Sequence, residues 1–382
     1  MNILLVGDYP DDPRLGSAKV YHKLREEFLA LGHECRWLTA ADLGARPARP
    51  RLRWAAAPAL AARAIARELR ERGPCDVVDA ASAEGLVFGL RRRLGAQRGV
   101  ALVSRSHGLE HLNYRRMLDD ARAGLARKPW TRRLWYPAAR LSQVAGAARV
   151  ADRLLVLNEG DREFAVRRGW KHPDRVDVVP HGVSARFLES APPPGLPRGR
   201  GVLFCGTWDP VKGVGYLAEA FALLAHRSPG ARLTVLGGGV PEARVLESFP
   251  AELRAAVTVL PRSDEEEVMR HYREHDVLVL PSTYEGFGMV VVEAMSQRLP
   301  VVATPVGCTP SLLGSGEGGV LVPPRDPAAL AGALERLLAD PALRERMGRA
   351  AHDAVRGMTW RRTAERTLEV YERALARARG GR

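Results

Sequence analysis

Leu280-Pro-Ser-Thr-Tyr-Glu-Gly-Phe-Gly-Met-Val-Val-Val-Glu-Ala-Met-Ser296 is the stretch on which the reading of this chain turns. An apolar run ends at Pro281, a glycine-flanked turn follows, and Met289–Gln297 has helical character. Strand, turn and helix in that order form half of a parallel crossover unit, whose strands are covered on both faces. Glu285 then stands on the loop at a strand's carboxyl end, and Glu293 lies inside the following helix. The amides of Gly286, Phe287 and Gly288 approach the helix N-terminus, where free N–H groups and the dipole favour oxyanions or hydroxyl oxygens. Two carboxylates beside such amides suit a polyhydroxylated, phosphorylated ligand, because carboxylates accept from hydroxyls and amides meet anionic oxygens. The plainer alternative, a solvated Glu293 and glycines that only make a turn, accounts for less of the segment.

The same alternation extends in both directions. Before residue 190, Ile3–Val6, Arg36–Thr39, Asp76–Val78, Val100–Val103, Leu154–Leu157 and Val176–Val179 read as strands, with helices such as Lys19–Leu31 and Ala55–Glu71 between them. After residue 200, Val202–Cys205, Leu233–Leu236, Val257–Leu260, Val277–Leu280 and Val301–Ala303 repeat the pattern, with helices such as Tyr216–Ala225 and Asp264–Arg273. Strands alternating with helices predict an α/β chain with parallel sheets. A chain of 382 residues exceeds the ~100–200 of one domain, so two units are expected. Three consecutive prolines at 192–194 exclude helix and central strand and mark 191–200 as the linker. The expected division is 1–190, a linker 191–200, a second domain 201–358, and a terminal helical segment 359–382. A cleft between the two domains is the expected ligand site.

Three further segments carry side chains suited to chemistry. Leu203-Phe-Cys-Gly-Thr-Trp-Asp-Pro-Val-Lys-Gly213 is a strand followed by a loop that ends in Lys212, a point charge able to neutralise a departing diphosphate. Arg105-Ser-His-Gly-Leu-Glu110 follows a strand of the first half; His107 there either hydrogen-bonds a hydroxyl of the ligand or simply shapes a turn. Gly7-Asp-Tyr-Pro-Asp-Asp-Pro-Arg-Leu-Gly-Ser17 is a loop after the first strand, with Gly16 as its candidate. No Asp-x-Asp and no cysteine or histidine cluster with ligand spacing occurs, so neither a metal nor another cofactor is expected. Widely spaced Cys35, Cys75, Cys205 and Cys308 suit a reducing compartment, and the cytoplasm is the expected location.

The Glu285–Glu293 segment resembles the E-x7-E signature of retaining GT-B glycosyltransferases, the large glycosyltransferase family 4 group; Leu299-Pro-Val-Val-Ala-Thr-Pro-Val-Gly307 is similar to that family too. The resemblance implies two Rossmann-like domains with parallel sheets facing a central cleft. It implies a metal-independent transfer, with retention, of a sugar from a nucleotide-diphosphate donor to a hydroxyl. The expected setting is the synthesis of a cell-envelope polysaccharide or glycolipid. It places Glu285, Gly286, Phe287, Gly288, Met289 and Val290 around the donor sugar and Glu293 on the ribose. Gly206, Thr207 and Lys212 would meet the diphosphate, with Gly16, His107 and Glu110 on the acceptor side; His107, Lys212 and Glu285 are the catalytic candidates. The family usually carries an Arg where this chain has Thr207. Either the Thr207 hydroxyl or Arg262, after Val257–Leu260, is open as its replacement. Val179-Pro-His-Gly-Val183 resembles the turn at the family's interdomain crossing, and the terminal helix is expected to cross back onto the first domain. Two other readings stay open: a GT-B nucleotide-sugar epimerase, and a non-catalytic nucleotide-sugar-binding protein at a membrane.

Charge is unevenly spread. The net +14 comes wholly from residues 1–200, and residues 51–150 hold 20 basic against 8 acidic side chains. Such a surface implies an anionic partner. Residues 110–136 interleave Arg with Trp130, Trp135 and Tyr136, and Arg46–Arg53 is Arg- and Pro-rich. Contact with an anionic membrane and packing of the rings into the core are both open for 110–136. No nucleic-acid module is recognised, and nucleic acid is not an expected partner. The expected partners are a nucleotide sugar and a carbohydrate or lipid-linked acceptor.

Overall fold

The computed structural model describes all residues except 14, 45–48, 96, 98, 125–129 and 381–382; the side chains of 50, 51 and 130–132 are also outside the description. Its strands are β1 (Asn2–Val6), β2 (Glu34–Leu38), β3 (Val77–Ala81), β4 (Ala101–Arg105), β5 (Arg153–Val156), β6 (Val176–Val178), β7 (Val202–Cys205), β8 (Leu233–Leu236), β9 (Val257–Leu260), β10 (Val277–Leu280), β11 (Val301–Ala303) and β12 (Gly319–Leu321). They form two six-stranded sheets, ordered β2-β1-β3-β4-β5-β6 and β12-β11-β10-β7-β8-β9. Every pairing is parallel. The apolar runs explain this: Ile3–Val6 and Val277–Leu280 are buried along their whole length, as strands covered on both faces must be. Each such Val, Leu or Ile contributes ~1.5–3 kcal/mol by leaving water.

The chain divides into two compact units, Met1–His181 together with the segment from Trp360, and Gly182–Thr359. The helix Trp360–Gly380 thus belongs to unit 1. Its buried residues Trp360, Thr363, Ala364, Thr367, Leu368, Tyr371, Ala374 and Leu375 recur at three- and four-residue spacing, the stripe an amphipathic helix turns to a core. Tyr371 packs its ring against Phe28 and donates its hydroxyl to Asp79. That carboxylate also holds Arg105, at 2.6 and 2.9 Å, and both partners are almost wholly buried. An ion pair this deep is costly to break on one side only, about 3–5 kcal/mol.

The two units divide between His181 and Gly182, ahead of the segment 191–200 that the sequence marks as the linker. The proline segment is pinned to unit 2. Arg198 donates to the carbonyls of Tyr272, His275 and Gln297, and Phe187 packs near the Tyr272 ring. The outgoing and returning strands of chain touch within unit 2, where Val183 bridges Thr359 and its amide donates to the Met358 carbonyl. Strand β12 escaped the sequence reading, since a three-residue run beginning at Gly319 in a Gly/Ser-rich stretch gives no periodicity.

Each sheet contains a point where the strand order reverses. In unit 1 the chain steps from β1 outward to β2 and then returns past β1 to β3. In unit 2 it steps from β7 to β8 and β9, then jumps back across β7 to β10. Loops at the carboxyl ends of the strands diverge at these reversals and leave a crevice, the preferred ligand position in open α/β sheets.

Candidate active site

In unit 2 the reversal lies between β7 and β10, and the two charged residues singled out from the sequence meet there. Lys212 follows β7, Glu285 follows β10, and the Lys212 ammonium lies 2.6 Å from the Glu285 carboxylate. The Ser282 hydroxyl donates to the same oxygen at 2.7 Å. Glu285 is held tightly, with a side chain only 8% exposed, whereas Lys212 retains 25% exposure. A lysine has three donors, so one can stay on Glu285 while the others meet an arriving anion.

Backbone geometry makes this approach possible. Gly213 has φ 71°, and a β-carbon there would lie 2.0 Å from the Pro281 carbonyl oxygen, so only glycine lets the β7 and β10 loops close on each other. Gly288, with φ 93°, turns the chain into the helix Met289–Ser296. Of its first-turn amides, that of Val291 donates to the Gly288 carbonyl, while those of Met289 and Val290 have no acceptor within the helix. Phe287 is buried, Met289 and Val290 are half-buried, and the Phe287 carbonyl accepts from Cys308. Glu293 is mostly buried and accepts from the Tyr272 hydroxyl at 3.2 Å.

The β7, β8 and β9 loops are laced together, with Trp208 N–H donating to Gly238 and Gly237 N–H to Leu260. Across them lies Arg262. Its Cγ is 3.7 Å from where a β-carbon of Gly237 would stand, and its Nη2 is 3.4 Å from that position at Gly239. Thr207 Cγ2 is 3.9 Å from the same Gly239 position, so the guanidinium reaches back toward Thr207. Gly206, with φ 146°, starts that loop. Arg262 is exposed, and among the described residues it has no hydrogen-bond or ion-pair partner.

Unit 1 has its own cavity, about 200 Å³, at the carboxyl ends of β1, β3 and β4, lined by Tyr9, Ser17, Ser82, His107, Glu110 and Arg140 among others. His107 and Glu110 are therefore brought together. Gly16 is not: it opens the helix Gly16–Ala30, a β-carbon there would meet nothing within 4 Å, and its neighbour Ser17 lines the cavity instead. Both ring nitrogens of His107 are buried without a hydrogen-bond partner, and the ring packs against Tyr9, Tyr21 and His181. Burial, with Arg105 nearby, pushes the imidazole down to about 3, so His107 is neutral.

Sequence reasoning missed Ser82, Glu84 and Arg140. Ser82 has φ 47°, rare for a serine and a mark of constraint at a site. Arg140 lies in a π-helical turn, Pro137–Leu141, a distortion common at functional sites. It chelates Glu110 through Nε at 3.0 and 3.1 Å and Nη2 at 2.8 Å, with Glu84 at 3.8 Å. Tyr136 donates to Glu110 at 2.9 Å, as does Ser82. Burial opposes ionisation of Glu110, but Arg140 outweighs it and holds the carboxyl below its ordinary range. Burial dominates at Glu84 and pushes it up to about 7.

Of residues 110–136, Tyr136 stacks on Tyr114, and both Trp135 and Tyr136 pack on Trp54. These rings serve the packing of unit 1. The Trp130 side chain, the Lys128 segment and part of Arg46–Arg53 lie outside the described residues.

Comparison with known proteins places the chain. Residues 16–187 match the family described as Glycosyltransferase Family 4, and residues 195–354 match Glycosyl transferases group 1. The chain belongs to the family 4 glycosyltransferases. It is 35% identical over 265 residues to a D-inositol 3-phosphate glycosyltransferase of Kineococcus radiotolerans, covering 63% of this chain and 61% of that protein. The chain spans about three fifths of the length of the curated relatives it matches. Its fold is that of sucrose-phosphate synthase from Thermosynechococcus elongatus, with TM-score 0.77, 23% identity and coverage of 98% and 99%. Anabaena HepE, solved in complex with UDP, superposes with TM-score 0.68, 17% identity and coverage of 97% and 99%. The fold is GT-B.

Proposed function

We propose that this family 4 glycosyltransferase is a retaining, metal-independent enzyme that moves a sugar from a nucleotide-diphosphate donor to a hydroxyl acceptor. The observation that carries the reading is the Lys212–Glu285 pair across the β7/β10 reversal, beside the helix start at Gly288. In this reading unit 2 holds the donor. Glu285 accepts from sugar hydroxyls and orients the ring, with Phe287, Met289 and Val290 bounding it. Glu293 takes a ribose hydroxyl.

As the glycosidic bond to the diphosphate breaks, negative charge grows on the leaving phosphate. Lys212 and the first-turn amides already stand where that charge develops, so little reorganisation is needed. Arg262, uncompensated and reaching toward Thr207, supplies the second cation of the diphosphate site. Unit 1 holds the acceptor, with His107 hydrogen-bonding a hydroxyl as a neutral imidazole. UDP is the leading nucleotide, on the strength of the HepE complex. The product is a polysaccharide or glycolipid made at the inner face of the membrane. Exposed Leu52 and Leu134, on segments joined by the Trp54–Trp135 stack and beside exposed Arg53 and Arg133, support a peripheral lipid contact. No helix of the described residues is long and apolar enough to cross a bilayer.

The experiment is titration of the protein with UDP, GDP, ADP and their sugars with and without EDTA, followed by NMR assignment of the product anomer. Selective, EDTA-insensitive binding and a product with the donor's anomeric configuration are expected. An inverted anomer removes retention; donor turnover without any acceptor points to an epimerase; binding that survives Lys212→Ala and Glu293→Ala points to another donor site.

A further inference from the structure

The basic charge of unit 1 invites an anionic acceptor, yet it is not in the cavity. Arg53, Arg63, Arg67, Arg91, Arg93 and Arg133 are exposed on helices. The two arginines on the cavity wall, Arg105 and Arg140, are each closed by a carboxylate. We infer that this cavity selects an uncharged, hydroxyl-rich acceptor and discriminates against one bearing phosphate there. The inference rests on the glycosyltransferase reading and names the acceptor class for it.

Three observations carry it. Arg140 is chelated by Glu110, whose carboxylate is further fixed by Tyr136 and Ser82, with Glu84 close behind. Asp79, Glu84 and Glu110 thus stand against Arg105 and Arg140, so the group is neutral when Glu84 is protonated and carries one negative charge when it is not. Secondly, one Glu84 oxygen is buried without a partner, and Glu84 is only 3% exposed. Thirdly, His107 offers one donor and one acceptor, both unpartnered, on the same wall.

A hydroxyl suits this wall, donating to the Glu110 carboxylate or an imidazole nitrogen of His107 and accepting from an N–H. A phosphate would have to displace Glu110 from Arg140, or lie in a poorly solvated cavity beside carboxylates with no cation left over. Ser17 adds a hydroxyl to the same lining. The chain would then differ in acceptor from relatives named for inositol 3-phosphate.

The test uses the intact chain and the donor identified by titration. Transfer is measured to matched pairs: myo-inositol against inositol 3-phosphate, and glucose against glucose 6-phosphate. The expected result is at least a tenfold higher kcat/KM for the uncharged member. Glu110→Gln, which releases Arg140, should narrow that ratio several-fold. Glu84→Gln adds the same charge while imitating the protonated form that burial favours, so it guards against a misfolded first variant and should narrow the ratio at pH 8. A phosphorylated member used equally well or better overturns the inference. So does donor binding with neither member of either pair accepted, or a ratio unmoved by both variants. Failure of the wider reading looks different: no nucleotide sugar binds at all.

Discussion

Unit 1 and unit 2 have the same architecture and an opposite treatment of charge. Both place side chains at the point where a six-stranded parallel sheet reverses its strand order. In unit 1 the cations are locked into carboxylates before any ligand arrives, Arg105 by Asp79 and Arg140 by Glu110. In unit 2, Lys212 shares one donor with Glu285 and remains partly exposed, and Arg262 lies bare across a glycine loop. The fold fixes where a ligand sits; the pairing of charges decides which ligand it is. Net charge over a hundred residues says little about either, since it counts helix surfaces and cavity walls alike.

The comparison breaks most readily at Lys212. Replacing it by Ala removes a preplaced cation, and kcat/KM for transfer should fall about 10²–10³-fold, the usual size for one such contact. A loss below tenfold would mean that the Lys212–Glu285 pair serves the loop rather than the reaction.

The next effect tests the locked side. Glu84 has a folded pKa of about 7 against an ordinary 4.5. Because the folded value is raised, its contribution to stability is complete below the unfolded pKa and is lost as pH rises through about 7. Those two values, at about 1.4 kcal/mol per pH unit, set a loss of about 3 kcal/mol between pH 4.5 and pH 8. Denaturant unfolding across that range should show a slope in the wild type that Glu84→Gln removes. An identical slope in both would place the Glu84 carboxyl in water.

Arg262 gives a smaller change with a sharper signature. Arg262→Ala should weaken nucleoside diphosphate binding about ten- to a hundredfold, the worth of a hydrogen bond to a charged group. Binding of the bare nucleoside should not move. Adding Thr207→Arg should recover most of the loss, since both positions face the Gly239 loop. Equal weakening of nucleoside and diphosphate would instead assign Arg262 to the base. Least of all should come from Gly16→Ala, whose β-carbon meets open space: stability should change by no more than about 1 kcal/mol and transfer not at all.

The strands of both sheets were legible because buried parallel strands are short, continuous apolar runs, and eleven of them stand out as such. β12 did not, being three residues long and opening on Gly319. The Lys212–Glu285 cluster of unit 2 was legible because Gly213, Glu285 and Gly288 lie on local turns whose chemistry is written in neighbouring residues. The cavity of unit 1 was not. Arg140 meets Glu110 from 30 positions away, Ser82 from 58, through a π-helical turn that has no sequence signature. His107 and Glu110 could be picked from their place after β4, but their charge state depends on partners that only the fold supplies. The proline run at 192–194 excludes strand and helix, but stiffness alone does not say how its neighbours pack, and Arg198 ties this segment to unit 2.

Tyr371 donates to Asp79 across 292 positions of chain. A ribosome adding about 5–20 residues per second needs roughly 15–60 s to cover that distance. For that interval the Asp79–Arg105 pair lacks its lid, while Gly182–Thr359 emerges as one continuous piece. Unit 1 is therefore completed only after the whole of unit 2 has been made.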